Sequence, residues 1–325
     1  MNILVIGGSG YVGYHLIKAL KPYGHRISAV DLVQVPSLLD ASISFYRGDY
    51  GDMQFMHDVL RKERIELAIH AAGFSRTDEA VSVPMKYYSN NVIGNVFLLN
   101  MLLGSNVKKI IYVSSAAVFG EQDKLPISDN SSKNPINPLG YSQLLFEEML
   151  ESLRIAHGIS YAIMRAPNLS GLSDGEHKHF VENLGVGLIA SIVECALGKR
   201  KKIDIYGTSY PTIDGTASRD YLHVDDFCEA CLRVMPHLEV RREKQIFNVG
   251  LGKAISVKEV VECAQGVTGK TIAVEDFPER EGDAARIYFD SFRTRTALDW
   301  RPKYETLKDI IFSIWKNFKL SNGAA

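Results

Sequence analysis

Asn2-Ile3-Leu4-Val5-Ile6-Gly7-Gly8-Ser9-Gly10-Tyr11-Val12-Gly13, at the start of the chain, is the stretch whose reading decides the fold. Its first five residues are a near-continuous apolar run, the pattern of a strand buried on both faces. The chain then turns through Gly7, Gly10 and Gly13, spaced G-x-x-G-x-x-G, into a helical pattern with Val12, Leu16, Ile17 and Leu20 on one side. In such a unit the first glycine permits a tight turn, and the second lets backbone N–H groups approach a pyrophosphate. The third lets the helix pack close on the strand. A second strand, residues 26–30, ends in Asp31. An acid about 20 residues past the glycines is placed to accept both hydroxyls of an adenosine ribose, and it repels a 2′-phosphate. The stretch therefore predicts a dinucleotide site that takes NAD rather than NADP.

Composition narrows the class. At 325 residues the chain is long enough for one large or two intimate domains. With 37 Lys+Arg against 38 Asp+Glu and no basic stripe, nucleic acid is not an expected partner. No apolar run reaches the roughly 18 residues of a membrane span, and the chain opens directly on a core strand, which argues against a signal peptide. A reducing, cytoplasmic setting is expected. Cys195, Cys228, Cys231 and Cys263 show neither disulfide nor zinc spacing. Cys228 and Cys231, one helical turn apart with no second pair, read as buried thiols, and no metal is expected.

Strands and helices alternate onward from Asp31. Strands are predicted at 44–48, 66–70, 109–114 and 160–165, with helices at 53–63, about 83–103 and 139–158. The apolar positions of the last helix (Leu144, Leu145, Phe146, Met149, Leu150, Leu153) cover more than one stripe, so it should be buried on two sides, against the sheet and against a partner subunit. This rhythm predicts an α/β fold: a Rossmann-type, doubly wound parallel sheet whose ligands bind at the carboxyl edge of the strands. Beyond Asn168 the alternation ends. A helix at 187–197, a strand at 203–206 and a helix at 226–235 suggest a smaller C-terminal substrate-binding lobe. The division expected is 1–170 for the dinucleotide-binding domain and 171–325 for the lobe, with some exchange of elements back to the first. Residues 319–325 read as a frayed tail.

Eight segments then point to a family: GGSGYVG at 7–13, RGDYGD at 47–52, HAAG at 70–73, YYSNNVIGN at 87–95, VSSAAVFGE at 113–121, IYGTSYPTIDGTASRDYLHVDD at 205–226, FNVGLGKAISVKEVV at 247–261 and EREGDAARIYFD at 279–290. Over nearly the whole chain the sequence resembles the extended short-chain dehydrogenase/reductase family, in its NAD-dependent epimerase/dehydratase branch. The resemblance implies an NAD cofactor, a nucleotide-sugar substrate of the UDP-hexose type, transient hydride transfer at the sugar ring, and a homodimer. It implies that Gly7, Gly10, Tyr11, Val12 and Gly13 surround the pyrophosphate, that Asp31 and Leu32 meet the adenosine ribose, and that Asp49 and Tyr50 flank the adenine. Ala71, Ala72, Gly73, Ser75, Ser114 and Pro167 would lie along the cofactor, with Asn90 steadying it. Ser115 matches the family's catalytic serine, which hydrogen-bonds the sugar oxygen. Asn168, Arg219, Arg280 and Asp283 match residues that hold the nucleotide diphosphate and sugar, and Tyr206 the residue that covers the uracil. A diphosphate carries two charges, and the planar fork of arginine suits it.

The family's chemistry also uses a Tyr-x-x-x-Lys pair, in which the lysine lowers the tyrosine's pKa so that the phenolate takes the sugar hydroxyl proton. With Pro138, Gly140, Ser142 and Glu147 setting the register, those two positions are Leu139 and Gln143. Tyr141 is a candidate substitute, but two residues along a helix is a turn of about 200°, and its own fourth successor is Leu145 rather than a lysine. An interface or capping aromatic is the competing reading. His177 and His179 are further candidates, since they titrate near neutrality, against the reading of a polar surface loop. Ser75 stands where a cofactor-contacting lysine is found in such proteins, with Arg76 beside it to compensate. Ala116 and Ala117 occupy the places of the acids that serve dehydratases and decarboxylases, which argues against both reactions. The reading is an epimerase-like enzyme with an atypical proton-transfer group. The alternatives are a catalytically silent protein that binds both ligands, and a sugar-modifying oxidoreductase of a specialised pathway.

Overall fold

Seven parallel strands make the central sheet, and the glycine turn sits at its middle. The computed structural model describes residues 1–35, 42–173, 187–240 and 243–321. In chain order the sheet half runs β1 (Asn2–Ile6), α1 (Tyr11–Leu20), β2 (Arg26–Asp31), β3 (Ile43–Arg47), α2 (Met53–Glu63), β4 (Leu67–His70), α3 (Thr77–Ser82), α4 (Pro84–Tyr88), α5 (Asn95–Gly104), β5 (Lys109–Ser115), α6 (Pro138–His157) and β6 (Ser160–Ala166). The strand order is β3-β2-β1-β4-β5-β6, closed by a seventh strand, Lys244–Asn248, beside β6. The order reverses between β1 and β4, which opens a crevice at the carboxyl ends of those two strands.

Alternate residues of each strand feed two cores. Ile3, Val5, Ile69 and Met164 pack with Leu16 and Ile17 of α1 on one face. Leu4, Ile6, Ala68 and Ile163 pack with Met56, Leu98 and Phe146 on the other. The turn after β1 leaves no room for side chains. Gly7 holds φ +85°, and a Cβ there would lie 2.7 Å from the Cα of Ala72. A Cβ on Gly13 would lie 2.0 Å from the carbonyl oxygen of Gly7. Glycine alone allows β1, α1 and the loop after β4 to meet.

Two expectations are corrected. The helix expected at 83–103 is broken: α3 stops at Ser82, Pro84 starts α4, and a π-helical turn, Ser89–Gly94, leads into α5. Proline lacks the N–H that would continue the first piece, and π turns are local insertions with no simple period to read. The tail expected at 319–325 is helical as far as Ser321, since the last helix runs Leu307–Ser321, and residues 322–325 lie outside the described ones. On α6, Phe146 and Leu150 are buried, while Leu145, on the face expected to meet a partner subunit, is 41% exposed in the single chain. Cys228 and Cys231 are buried on the helix Val224–Val234, where desolvation raises both thiol pKa values. Among the described residues no group of His, Cys, Asp or Glu is placed to hold a metal, and no helix is long and apolar enough to cross a membrane.

His70 ends β4 inside a ring cage of Tyr50, Tyr112 and Phe146, with its Nε2 2.8 Å from Asn95 Oδ1. Burial pushes the imidazole pKa down to about 4. In the unfolded chain it protonates near 6.5. A base with a depressed folded pKa stabilises the fold above its unfolded value and withdraws that stability as pH falls. Between pH 6.5 and about 4, therefore, the melting temperature of the parent should drop more steeply than that of His70→Gln, whose side chain does not titrate. Parallel pH profiles would contradict this.

Candidate active site

A cavity of about 970 Å³ opens at the carboxyl edge of the sheet and extends under the smaller C-terminal part of the chain. Gly10, Tyr11 and Val12 line it where α1 begins. Gly10 caps that helix without a side-chain hydrogen bond, so the positive end of the helix dipole faces the cavity through backbone groups. Ala71, Ala72, Gly73 and Ser75 line it from the loop after β4, and Pro167 and Asn168 from the end of β6. Arg76 lines it as well and pairs with Asp78 at 2.7 Å.

Some expected cofactor residues stand elsewhere. Asp31, Leu32, Asp49 and Tyr50 do not line this cavity. Asp31 ends β2 beside the glycine turn and accepts the Ser9 N–H on Oδ2 at 2.9 Å, and Leu32 after it is 58% exposed. Asp49 turns one oxygen back onto the Gly51 N–H. The Tyr50 ring is buried in the core against His70, with its hydroxyl donating to the Asn90 carbonyl. Asn90 does not line the cavity, and its carbonyl accepts from the Tyr50 hydroxyl. Asn91 lines the cavity, and its amide bonds both the N–H and the carbonyl of Phe74. The π turn adds a residue to the helical register and rotates Asn91 inward. Nothing in the N-N pair itself tells which of the two faces the ligand.

The reacting edge is built by β5 and α6. Ser115 lines the cavity, and its Oγ accepts the Ala117 N–H at 3.1 Å. Strand alternation turns Ser114 Oγ the other way, to donate to Glu147 Oε1 at 2.7 Å. Glu147 also takes two bonds from Arg165, Nε at 2.9 Å and Nη2 at 2.7 Å, and this ion pair is almost fully buried. At the other end of α6, Asn137 Oδ1 accepts the Gly140 N–H, and Asn137 Nδ2 donates to the Gly282 carbonyl. A Cβ on Gly140 would lie 2.3 Å from the Ala117 carbonyl, so the helix lies directly on the loop that follows Ser115.

This seating decides which residues meet the cavity. Leu139 and Gln143, one turn apart, both line it. Leu139 packs among Phe74, Ala80, Tyr87 and Ala117. Tyr141 does not line the cavity; it is 47% exposed on the outer face of α6, as the 200° offset requires. Neither side chain of the inward pair titrates. Tyr112, a phenol that does line the cavity, is held protonated by burial, its pKa raised well above the ordinary value. His177 and His179 lie outside the described residues.

The far wall is polar and charged. Arg219 pairs with Asp283 at 3.6 Å, and the Arg280 guanidinium covers the Tyr206 ring at 3.6 Å. All four line the cavity. Two cations at one wall of a cleft whose opposite end is a helix N-terminus favour negative charge inside it.

A family model described as the NAD dependent epimerase/dehydratase family matches residues 3–250. A UDP-glucose 4-epimerase of Lactobacillus helveticus is 36% identical over 97% of this chain and 96% of its own length. The solved UDP-glucose 4-epimerase of Bifidobacterium longum, in complex with NAD+ and UDP, superposes with a TM-score of 0.91 at 29% identity, covering 100% of this chain and 99% of that one. That of Brucella ovis, in complex with NAD, gives 0.89 at 32% identity, with 98% of each chain covered.

Removing one partner of a buried ion pair leaves the other charge uncompensated and costs about 3–5 kcal/mol. Glu147→Gln should lower the urea-unfolding free energy by about that amount. A loss below about 1 kcal/mol, the size of a surface pair, would show that the pair does not hold α6 in place.

Proposed function

The chain belongs to the NAD dependent epimerase/dehydratase family, and from that premise we propose that it binds NAD and a UDP-hexose and transfers hydride reversibly at the sugar ring, with proton transfer by a group other than the usual tyrosine. The observation that carries this reading is that a single cavity joins the glycine turn, Ser115 and the two arginines of the far wall. The glycine turn fits a dinucleotide: its backbone is closed to any Cβ, and the Asp31 carboxylate stands at its end. Bound there, NAD supplies a reversible hydride acceptor.

The chain's own residues do the rest. The N-terminus of α1 takes the pyrophosphate, and Asp31 accepts from the adenosine ribose. Arg219 and Arg280 take the sugar-nucleotide diphosphate, with Tyr206 and Asn168 flanking it. Ser115 donates to the sugar oxygen at which oxidation occurs. Leu139 beside it can neither take nor return a proton, and Gln143 supplies no positive charge to tune one. A second reading, a silent receptor for both ligands, draws on that same Leu139.

Product analysis separates the readings. With NAD and UDP-glucose, the parent should form a second UDP-hexose slowly, and Ser115→Ala should abolish this. Leu139→Tyr with Gln143→Lys should raise kcat by about 10²–10⁴-fold, the contribution of a positioned general base. A parent that binds both ligands without turnover would establish the silent receptor. Heat from neither ligand in calorimetry would overturn both readings.

We further propose that a second copy of the chain covers the apolar face formed by α4, α5 and α6. Met85, Ile93 and Phe97 stand exposed on the first two of these and the turn between them, and Tyr141 and Leu145 on the third. Phe97→Glu with Leu145→Glu should convert a dimer to a monomer in sedimentation analysis. A parent that is already monomeric would contradict this.

A further inference from the structure

The amino edge of the sheet, opposite the cavity of Ser115, carries a second hollow of about 720 Å³ between α2 and α5. That volume lies within the roughly 300–1,000 Å³ of small-molecule sites. His57, Arg61 and Arg64, at successive turns of α2 and its cap, look across it to Met101, Gly104 and Lys108. Leu60 and Ile65, both buried, give it an apolar base. Its charge is one-sided. Lys109 is paired with Glu239 at 2.5 Å, and the Glu66 carboxylate accepts the Asn2 N–H at 2.7 Å. Arg61, Arg64 and Lys108 have no carboxylate partner among the described residues. Cations at the end of a helix commonly serve its last carbonyls. Here other groups already bond those carbonyls. Asn2 Nδ2 donates to Glu63 and Arg64, and the backbone N–H groups of Arg64 and Ser105 close back onto Leu60 and Met101. Two helix ends, each worth about half a negative charge, offset only part of three full positive ones.

We propose that this hollow binds a small phosphorylated molecule with an apolar body. The phosphate meets Arg61, Arg64 and Lys108, which come from two sides and suit a group with three free oxygens. A carboxylate, with two oxygens in one plane, would leave one of the three unmatched. The apolar body lies on Met101 and the base formed by Leu60 and Ile65, which removes its surface from water. The hollow shares no lining residue with the cavity of Ser115, so the proposal does not depend on what that cavity binds. Gly104 marks where the hollow is open. It ends α5 in helical conformation, and a Cβ built on it would meet nothing within 4 Å.

The test titrates the full chain with phenyl phosphate, inorganic phosphate and benzyl alcohol, followed by ligand-detected NMR. Phenyl phosphate carries both the charge and the apolar body, and the other two carry one each. It should bind at least tenfold more tightly than either. Two variants then tie that binding to the hollow. Arg61→Gln with Lys108→Gln should weaken phenyl phosphate about tenfold or more, the effect of losing charge-assisted contacts. Gly104→Phe fills the open side without touching a charge, and should abolish binding while melting no lower than the parent, since glycine is a poor helix former. Parent-like binding of phenyl phosphate by Gly104→Phe would place the anion elsewhere and overturn the proposal, as would a parent that binds none of the three probes. Inorganic phosphate bound as tightly as phenyl phosphate would overturn the assignment of an organic ligand.

Discussion

An ion pair buried beneath the cavity, Glu147 with Arg165, is the interaction on which the geometry of the site depends. It joins three elements: Glu147 lies on α6, Arg165 on β6, and Ser114 on β5 donates to the same carboxylate. Burying two charges is costly, and the pair is tolerable only where the remaining polar atoms are satisfied. Arg165 Nη1 accordingly lies 3.4 Å from the Asp129 carbonyl and 3.5 Å from Asn248 Oδ1, with the guanidinium over the Phe119 ring. Once α6 is held this way, its first two turns have no freedom of rotation. Leu139 and Gln143 face the cavity, Tyr141 faces out, and Ser115 stands beside the inward pair.

What was legible in the sequence was whatever repeats with a short period or is forced by local chemistry. The bounds of α2 agree because Asp52 accepts the N–H groups of Gln54 and Phe55, a cap any reader can find. The strands agree because a two-sided buried strand is apolar throughout. The break at Pro84 and the π turn were not legible, because one added residue in a helix leaves no trace in composition. The strand Lys244–Asn248 joins β6 after an excursion through the smaller part of the chain, a pairing set by long-range packing alone. That the Tyr50 ring packs between His70 and Gly94 was not legible either, since those neighbours come from distant segments.

The cleft thus combines a glycine turn, a helix end and two arginines, while the positions nearest Ser115 on α6 hold an aliphatic and an amide. These two facts come from different parts of the physics. The binding parts are backbone turns, a helix end and paired charges, which a change of one side chain on α6 leaves in place. The proton-handling part is two side chains, which single substitutions can remove without disturbing the fold, because Leu139 is accepted by the small apolar cluster around Phe74 and Tyr87.

The most direct measurement is a crystal structure of the full chain grown with NAD and UDP-glucose. The account predicts the dinucleotide across the carboxyl edge between α1 and β5, the sugar oxygen within hydrogen-bond reach of Ser115 Oγ, and Leu139 in van der Waals contact with no proton acceptor in its place. Ligands bound away from this edge, or density for a sugar turned from Ser115 toward another titratable group, would contradict it.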